Sequence, residues 1–180
     1  MFVHQIDEEL SLRLIELRDA DRVFELINHS REYLREWLNF VDGTVKVEDT
    51  KAFIDSCIRG YADNKSLNTV VLYKGAIVGV AGFNSIDWTN KIAYIGYWLG
   101  EDYQGNGVMA RVAKALTDYA LKELQLNKVE IRAAVGNQKS RNIPERLGFV
   151  EEGHIRSAEY IYDHFVDHVV YGVLASEWSE

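Results

Sequence analysis

Apolar residues recur along this chain with two different periods, and the switches between them mark its elements. Over residues 10–18 apolar and polar positions alternate as in a half-buried strand, and Asp19 then offers an N-cap for a helix over 20–28. Residues 33–40 predict a second, short helix. Over 47–64 the positions Val47, Phe53, Ile54, Cys57, Ile58 and Tyr61 fall at helical spacing with charges between them, which predicts a third. The pattern then returns to period two: strands over 69–73 and 77–83 join through Lys74-Gly75-Ala76, and a strand over 92–99 follows a turn at 87–90. Three consecutive strands with short connections predict an antiparallel meander.

Beyond the meander, Met109, Val112, Ala113, Leu116, Tyr119 and Ala120 line one face of a helix over 108–124, ahead of a strand over 129–135. Residues 137–147 predict a helix stopped by Gly148. Proline is tolerated best in a first turn, so Pro144 is expected to push the regular part of that helix late. The segments 149–155 and 165–174 are β-rich and separated by polar turns. Helices ahead of a meander, then two crossovers and a final strand pair, predict an α/β fold.

Composition narrows this to one domain over residues 1–180. The chain is 47% hydrophobic with a single proline and no repetitive or linker-like stretch, enough to bury a sizeable core. Asp7, Glu8 and Glu9 stand where a secretory signal would carry basic residues, and no apolar run approaches membrane-spanning length. A cytoplasmic protein with no membrane association is expected. Cys57 is alone, which excludes an internal disulfide and a multi-cysteine metal site, and reads as a small buried residue. The net charge of −8 opposes nucleic-acid binding, so an anionic ligand must be held by local amides and a few placed cations. His164 and His168 share one strand face beside Asp163 and Asp167, but no third ligand has suitable spacing. A surface strand face is expected there, and no metal.

The candidate chemistry begins at Gln104-Gly105-Asn106-Gly107, between the strand over 92–99 and the helix over 108–124. Glycines allow a tight turn and close approach, and the first-turn amides of a helix point unpaired N–H groups at a ligand, which favours phosphate. Gly105, Gly107 and Ala110 also satisfy the G-x-G-x-x-A pattern of dinucleotide-binding folds. That reading fits poorly, because the loop lies several residues beyond its strand and the next strand ends in Val135-Gly136-Asn137 with no acid for a ribose.

A second motif, Asn137-Gln138-Lys139-Ser140 followed by Arg146-Leu147-Gly148-Phe149, lies one strand later, and the two in order resemble the GNAT acetyltransferases. Gly96-Tyr97-Trp98-Leu99 and Arg35-Glu36-Trp37-Leu38, with Met109 in place of a small last loop residue, are similar to the RimJ/RimL branch, the ribosomal-protein N-terminal acetyltransferases. The resemblance implies a single-domain, mixed, mostly antiparallel sheet flanked by helices, with acetyl-CoA as co-substrate and no metal. It implies pyrophosphate binding by Gln104, Gly105, Asn106, Gly107, Val108 and Met109. Tyr97, Trp98 and Leu99 would lie on a strand that bulges beside the acetyl group, with Asn137 also in the cofactor site. The cations Arg111, Lys114, Lys139 and Arg141 flank the motifs as candidates for the CoA phosphates.

For the chemistry, the resemblance implies Ser140 as proton donor to the leaving thiolate and Glu159, in Ala158-Glu159-Tyr160, as base. Ser140 also reads as a helix N-cap, and Glu159 as a solvated carboxylate in a turn. Tyr94 stands where many relatives carry a glutamate. An α-amino group titrates near 8, so a modest base suffices for an N-terminal acceptor. The expected acceptor is a protein α-amino group of the ribosomal-protein type, with Trp37 the best candidate to contact it. A small amine such as a polyamine, amino acid or drug is the alternative within enzymes, and a CoA-binding module without turnover the alternative outside them. A homodimer is expected from the family.

Overall fold

The structure, a computed structural model, describes residues 2–179. Its elements are β1 (His4–Gln5), β2 (Leu10–Leu14), α1 (Ala20–His29), α2 (Arg31–Arg35), α3 (Val47–Ala62), β3 (Leu67–Tyr73), β4 (Ala76–Asp87) and β5 (Ile92–Leu99). They continue with α4 (Val108–Asp118), β6 (Lys128–Ala134), α5 (Gln138–Arg146), β7 (Val150–Ile161) and β8 (His164–Leu174). The strands form one sheet in the order β1-β2-β3-β4-β5-β6-β8-β7. All neighbours are antiparallel except β5 and β6, which the α4 crossover joins in parallel. The expected meander is β3-β4-β5.

Alternation along the strands builds two cores. Ile95, Ile131 and Tyr171 pack with Val112 and Leu116 of α4 on one face, while Val70 and Val80 pack with Val23, Ile27 and Ile54 of α1 and α3 on the other. Phe83 is fully buried in the first of these, a placement worth about 1.5–3 kcal/mol by area.

Several predicted boundaries move, each for a tertiary reason. The first strand stops at Leu14 and residues 17–19 form a 3-10 turn. Asp19 does not cap α1: it is buried, accepts bonds of 2.7 and 3.0 Å from the Arg13 guanidinium, and takes the Glu16 N–H at 2.8 Å. A buried carboxylate gains more from a buried guanidinium than from helix amides. The predicted helix over 33–40 is displaced to Arg31–Arg35, because the Leu38 carbonyl and Val41 N–H that would extend it bond to the Tyr162 hydroxyl at 2.5 and 3.1 Å. Past Asp118, α4 continues as a π-helical turn over Tyr119–Glu123. The strand predicted to end at 155 runs to Ile161, so the region around Glu159 is strand. Pro144 lies in the last turn of a regular α5, contrary to the expectation of a late-starting helix. Its missing N–H would have bonded to the Ser140 carbonyl, and that oxygen instead accepts the Tyr97 hydroxyl at 3.0 Å.

Candidate active site

The site begins where the sheet opens. The parallel ladder between β5 and β6 runs from Ile92↔Lys128 to Ile95↔Ile131 and stops. Beyond it, β5 follows β4 to Leu99 and β6 follows β8 to Ala134. The Gly100 N–H bonds to the Val78 carbonyl at 2.9 Å, so antiparallel alternation turns Trp98 and Gly96 toward β4 and aims the N–H and C=O of Tyr97 and Leu99 into the opening. The bulge expected in residues 96–99 is not there. The register shift lies across the ladder in β4, between Phe83 and Ser85 at Asn84. The Asn84 side chain fills the space over Gly96, where an added Cβ would stand 2.3 Å from its nitrogen and force it to move.

Two cavities meet at this opening. One of about 100 Å³ lies among α2, α4 and α5, and one of about 500 Å³ lies on the α1–α3 face. Trp37, Leu38, Tyr97, Trp98, Asn137 and Ser140 line both.

On the smaller side, Gly107 is left-handed (φ 65°) and occupies the N-cap of α4 with no side-chain cap, which leaves the first-turn amides open. The Arg111 guanidinium shapes the loop: it bonds to the Asn106 and Gly107 carbonyls at 3.2 and 3.3 Å and to Asp7 at 2.7 Å. The Asn106 amide donates to the Tyr103 and Gln104 carbonyls, and Gln104 donates to the Leu99 carbonyl at 3.4 Å. Met109 lines the cavity, whereas the Val108 side chain is buried in the core, leaving only its backbone to a ligand. Open space where Cβ atoms of Gly105 and Gly107 would stand, with unpaired amides behind it, fits a pyrophosphate. Of the flanking cations, Lys139 lines the cavity and lies 5.1 Å from the Tyr33 ring centroid. Arg141 does not reach it: its guanidinium bonds to the Tyr171 hydroxyl at 2.9 Å and the Val135 carbonyl at 2.8 Å, tying α5 to β8. Lys114 is paired with Asp118 at 2.9 Å.

At the junction the Tyr97 hydroxyl donates to the Ser140 carbonyl, and the Ser140 hydroxyl donates to Tyr97 Oη at 3.4 Å. Burial pushes the Tyr97 phenol well above its ordinary value, so it stays protonated. Asn137, not Ser140, caps α5, accepting the Ser140 N–H at 3.3 Å. The N-cap reading of Ser140 is therefore corrected, and its hydroxyl has no capping duty.

On the larger side, Glu159 Oε1 lies 3.1 Å from His168 Nε2, and the two side chains are only 28% and 18% exposed. Both line the cavity, so Glu159 is not in a solvated turn and His168 is not on a surface face as expected, whereas His164 is exposed. Tyr94 lines the same wall, in register with Glu130, a carboxylate 7% exposed that bonds to Arg132 Nε at 2.7 Å and approaches Lys128 at 3.7 Å. Glu130 and Arg132 escaped sequence reasoning, and His168 was read only as part of a surface strand face. Alternation over 129–135 did separate Glu130 and Arg132 from Val129, Ile131 and Ala133, and a charged face on a central strand signals a wet cavity. Among the described residues no cluster of three or more metal-ligating side chains occurs.

A parallel pair split at its end, with open helix amides on one side and a cavity lined by Glu130 and Glu159 on the other, leaves a site that can be entered from two faces. The acetyltransferase (GNAT) domain profile matches residues 9–150, and the chain belongs to the GNAT acetyltransferase family. It is 37% identical over 180 residues to the "Putative ribosomal N-acetyltransferase YdaF" of Bacillus subtilis (strain 168), covering 99% of this chain and 98% of that one. Its fold matches that of RimL, a ribosomal L7/L12 alpha-N-protein acetyltransferase solved with coenzyme A, with a TM-score of 0.92 and 25% identity over 96% of this chain and 98% of the other. It also matches the microcin C7 self-immunity acetyltransferase MccE solved with acetyl-CoA and AMP, with a TM-score of 0.89 and 29% identity over 94% of each chain. The chain is an acetyl-CoA-dependent N-acetyltransferase.

Proposed function

We propose that this chain, working over residues 1–180 as one transferase domain, acetylates the α-amino group of a protein N-terminus, with ribosomal proteins as leading acceptors. The observation that carries the reading is the meeting of two cavities at Tyr97 and Ser140, one lined by Gln104 and Met109 at the two ends of the glycine loop and the other by Glu159. The names carried by YdaF and RimL support the acceptor class. The cytoplasm is the proposed compartment, in keeping with that class, and among the described residues no helix is long and apolar enough to cross a membrane. A homodimer completes the proposal at the level of the family.

Gln104, Gly105, Asn106, Gly107, Val108 and Met109 would hold the pyrophosphate of acetyl-CoA, with Tyr97, Trp98, Leu99 and Asn137 along its thioester arm. Bound acetyl-CoA supplies a thioester carbonyl open to attack. The Tyr97 N–H, free of the β4 ladder, serves as the preorganised donor to the carbonyl oxygen. On the acceptor side the base is placed at Glu159 and the groups bonded to it, and on the thiol side the Ser140 hydroxyl gives a proton.

Thiol release from acetyl-CoA in the presence of an amine panel tests the reading. N-terminal peptides of ribosomal proteins should exceed polyamines, amino acids and aminated drugs in kcat/KM by about tenfold or more, the discrimination expected when a pocket reads more than the amine. A small-amine acceptor is the second reading, favoured by a cavity of about 500 Å³ where Glu159 has no cationic partner other than an imidazole, although Glu130 there is paired to Arg132. It wins if the order reverses. No thiol release with any amine, alongside measurable acetyl-CoA binding, would leave a binding module. Glu159→Gln should lower kcat by about a hundredfold with acetyl-CoA KM unchanged.

A further inference from the structure

The acceptor-side cavity holds a titratable group that the acetyl-transfer reading, on which this inference rests, leaves idle. His168 Nε2 lies 3.1 Å from Glu159 Oε1, and both groups face the cavity. Their meeting has a topological cause. Ile155 pairs with His168 and Glu159 with Val166, so β7 spends two more residues than β8 between these pairs. The bulge is fixed by the left-handed Ser157 (φ 47°), whose N–H bonds to Asp167 at 2.7 Å, and it brings Glu159 diagonally against the imidazole. On its other flank His168 pairs with Ala134, at the end of β6 where the sheet has opened.

The charges around the pair distinguish it from the rest of the wall. From β6 come Glu130 and Arg132, which bond to each other, with Lys128 also near Glu130. From β5 come the phenols of Tyr94 and Tyr97, and from β8 itself Asp167, which is committed to the Ser157 N–H. The segment after α2 and the helix α3 contribute Trp37, Leu38, Asn39, Phe40 and Phe53, none of them ionisable near neutrality. Glu130 thus has cationic partners, whereas the partner of Glu159 is an imidazole.

A lone carboxylate titrates near 4 and takes a proton from an α-ammonium near 8 only far uphill, whereas an imidazole near 6.5 is matched to neutral pH. A carboxylate that accepts the N–H of one imidazole nitrogen fixes the tautomer and leaves the other with its lone pair. We propose that His168 is the proton acceptor of the reaction, oriented by Glu159 through Nε2–H, so that the pair does the work of the base. One proton passes from the acceptor ammonium to Nδ1, directly or through one water, and goes on to solvent. The freed amine forms the new C–N bond as the C–S bond breaks. The departing thiolate takes the Ser140 hydroxyl proton, and the second N–H proton of the amine replaces it.

The test is kcat against pH at saturating acceptor for the wild type, His168→Gln and His168→Ala, with acetyl-CoA KM as the check that the fold persists. Wild type should show an acid limb in the imidazole range. His168→Gln should lose about a hundredfold at pH 7 and move that limb down toward the carboxylate range, and added imidazole should restore turnover in His168→Ala. The proposal is overturned if the wild type transfers acetyl while His168→Gln loses less than about threefold, or loses equally at every pH with the limb unmoved. A wild type that releases no thiol with any amine takes down the acetyl-transfer reading itself, and this inference with it.

Discussion

Burial of Cys57 against α1 and the sheet pushes its thiol up from 9.0 to about 11. The sign is that of a neutral form favoured by desolvation: the thiolate appears only as pH rises past the folded value, so at pH 8 its share falls from about a tenth to about a thousandth. Native protein at pH 8 should therefore react with an aromatic disulfide reagent about a hundredfold more slowly than unfolded protein, which should titrate one thiol. Fast stoichiometric labelling of the native chain would refute this. The same inertness means that CoA release is readable against the enzyme's own thiol. The positions of single residues were legible in the sequence where a motif marked them: Gly107 opens α4, and Asn137 and Ser140 line both cavities. Glu130 and His168 were not, because their significance depends on which strand lies beside them: a parallel register in one case, a two-residue bulge in the other.

Among the elements, the turn between β7 and β8 does more than reverse the chain. Tyr162, left-handed at φ 56°, donates its hydroxyl proton to the Leu38 carbonyl and accepts the Val41 and Asp42 N–H groups at 3.1 and 3.4 Å. The Arg35 guanidinium lies 4.4 Å from its ring centroid and pairs with Asp42 at 2.7 Å. The turn therefore holds the segment carrying Trp37, Leu38 and Phe40, which walls the larger cavity, in fixed relation to Glu159 three residues before Tyr162. Tyr162→Phe keeps the ring under Arg35 and removes the hydroxyl. It should lower unfolding stability by about 1–3 kcal/mol, read by chemical denaturation, and raise acceptor KM several-fold with acetyl-CoA KM unchanged. An unchanged acceptor KM would separate the latch from substrate binding. This contact also explains which boundaries could be read beforehand. The ends of β5 and α3 follow from local pattern and came within two residues of expectation. The second helix did not, since its extent is decided by a tyrosine more than 120 positions away.

For the whole molecule, the sheet order could be anticipated only in part, because the opening between β5 and β6 has no signature in either strand. It arises from divergent loyalties, β5 to β4 and β6 to β8, once the shared ladder ends at Ile95. What the sequence did carry at this scale is the field. A net charge of −8 surrounds a cavity whose wall holds Glu159 together with Glu130, which is paired to Arg132, so on the proposed reading a cationic acceptor should be drawn in while anionic acetyl-CoA approaches against the field and would rely on the amides of α4. The two substrates should then respond to salt with opposite signs. Raising ionic strength from about 0.01 to 0.15 M shortens screening from about 30 to 8 Å, beyond which surface charge no longer steers. The kcat/KM for a lysine-rich N-terminal peptide should fall several-fold over that range, while that for acetyl-CoA holds or rises and that for a neutral peptide stays level. Parallel declines for all three would assign the effect to salt acting on the fold. A flat response for the cationic peptide would mean that short-range contacts at the cavity wall, and not the field of the molecule, select the acceptor.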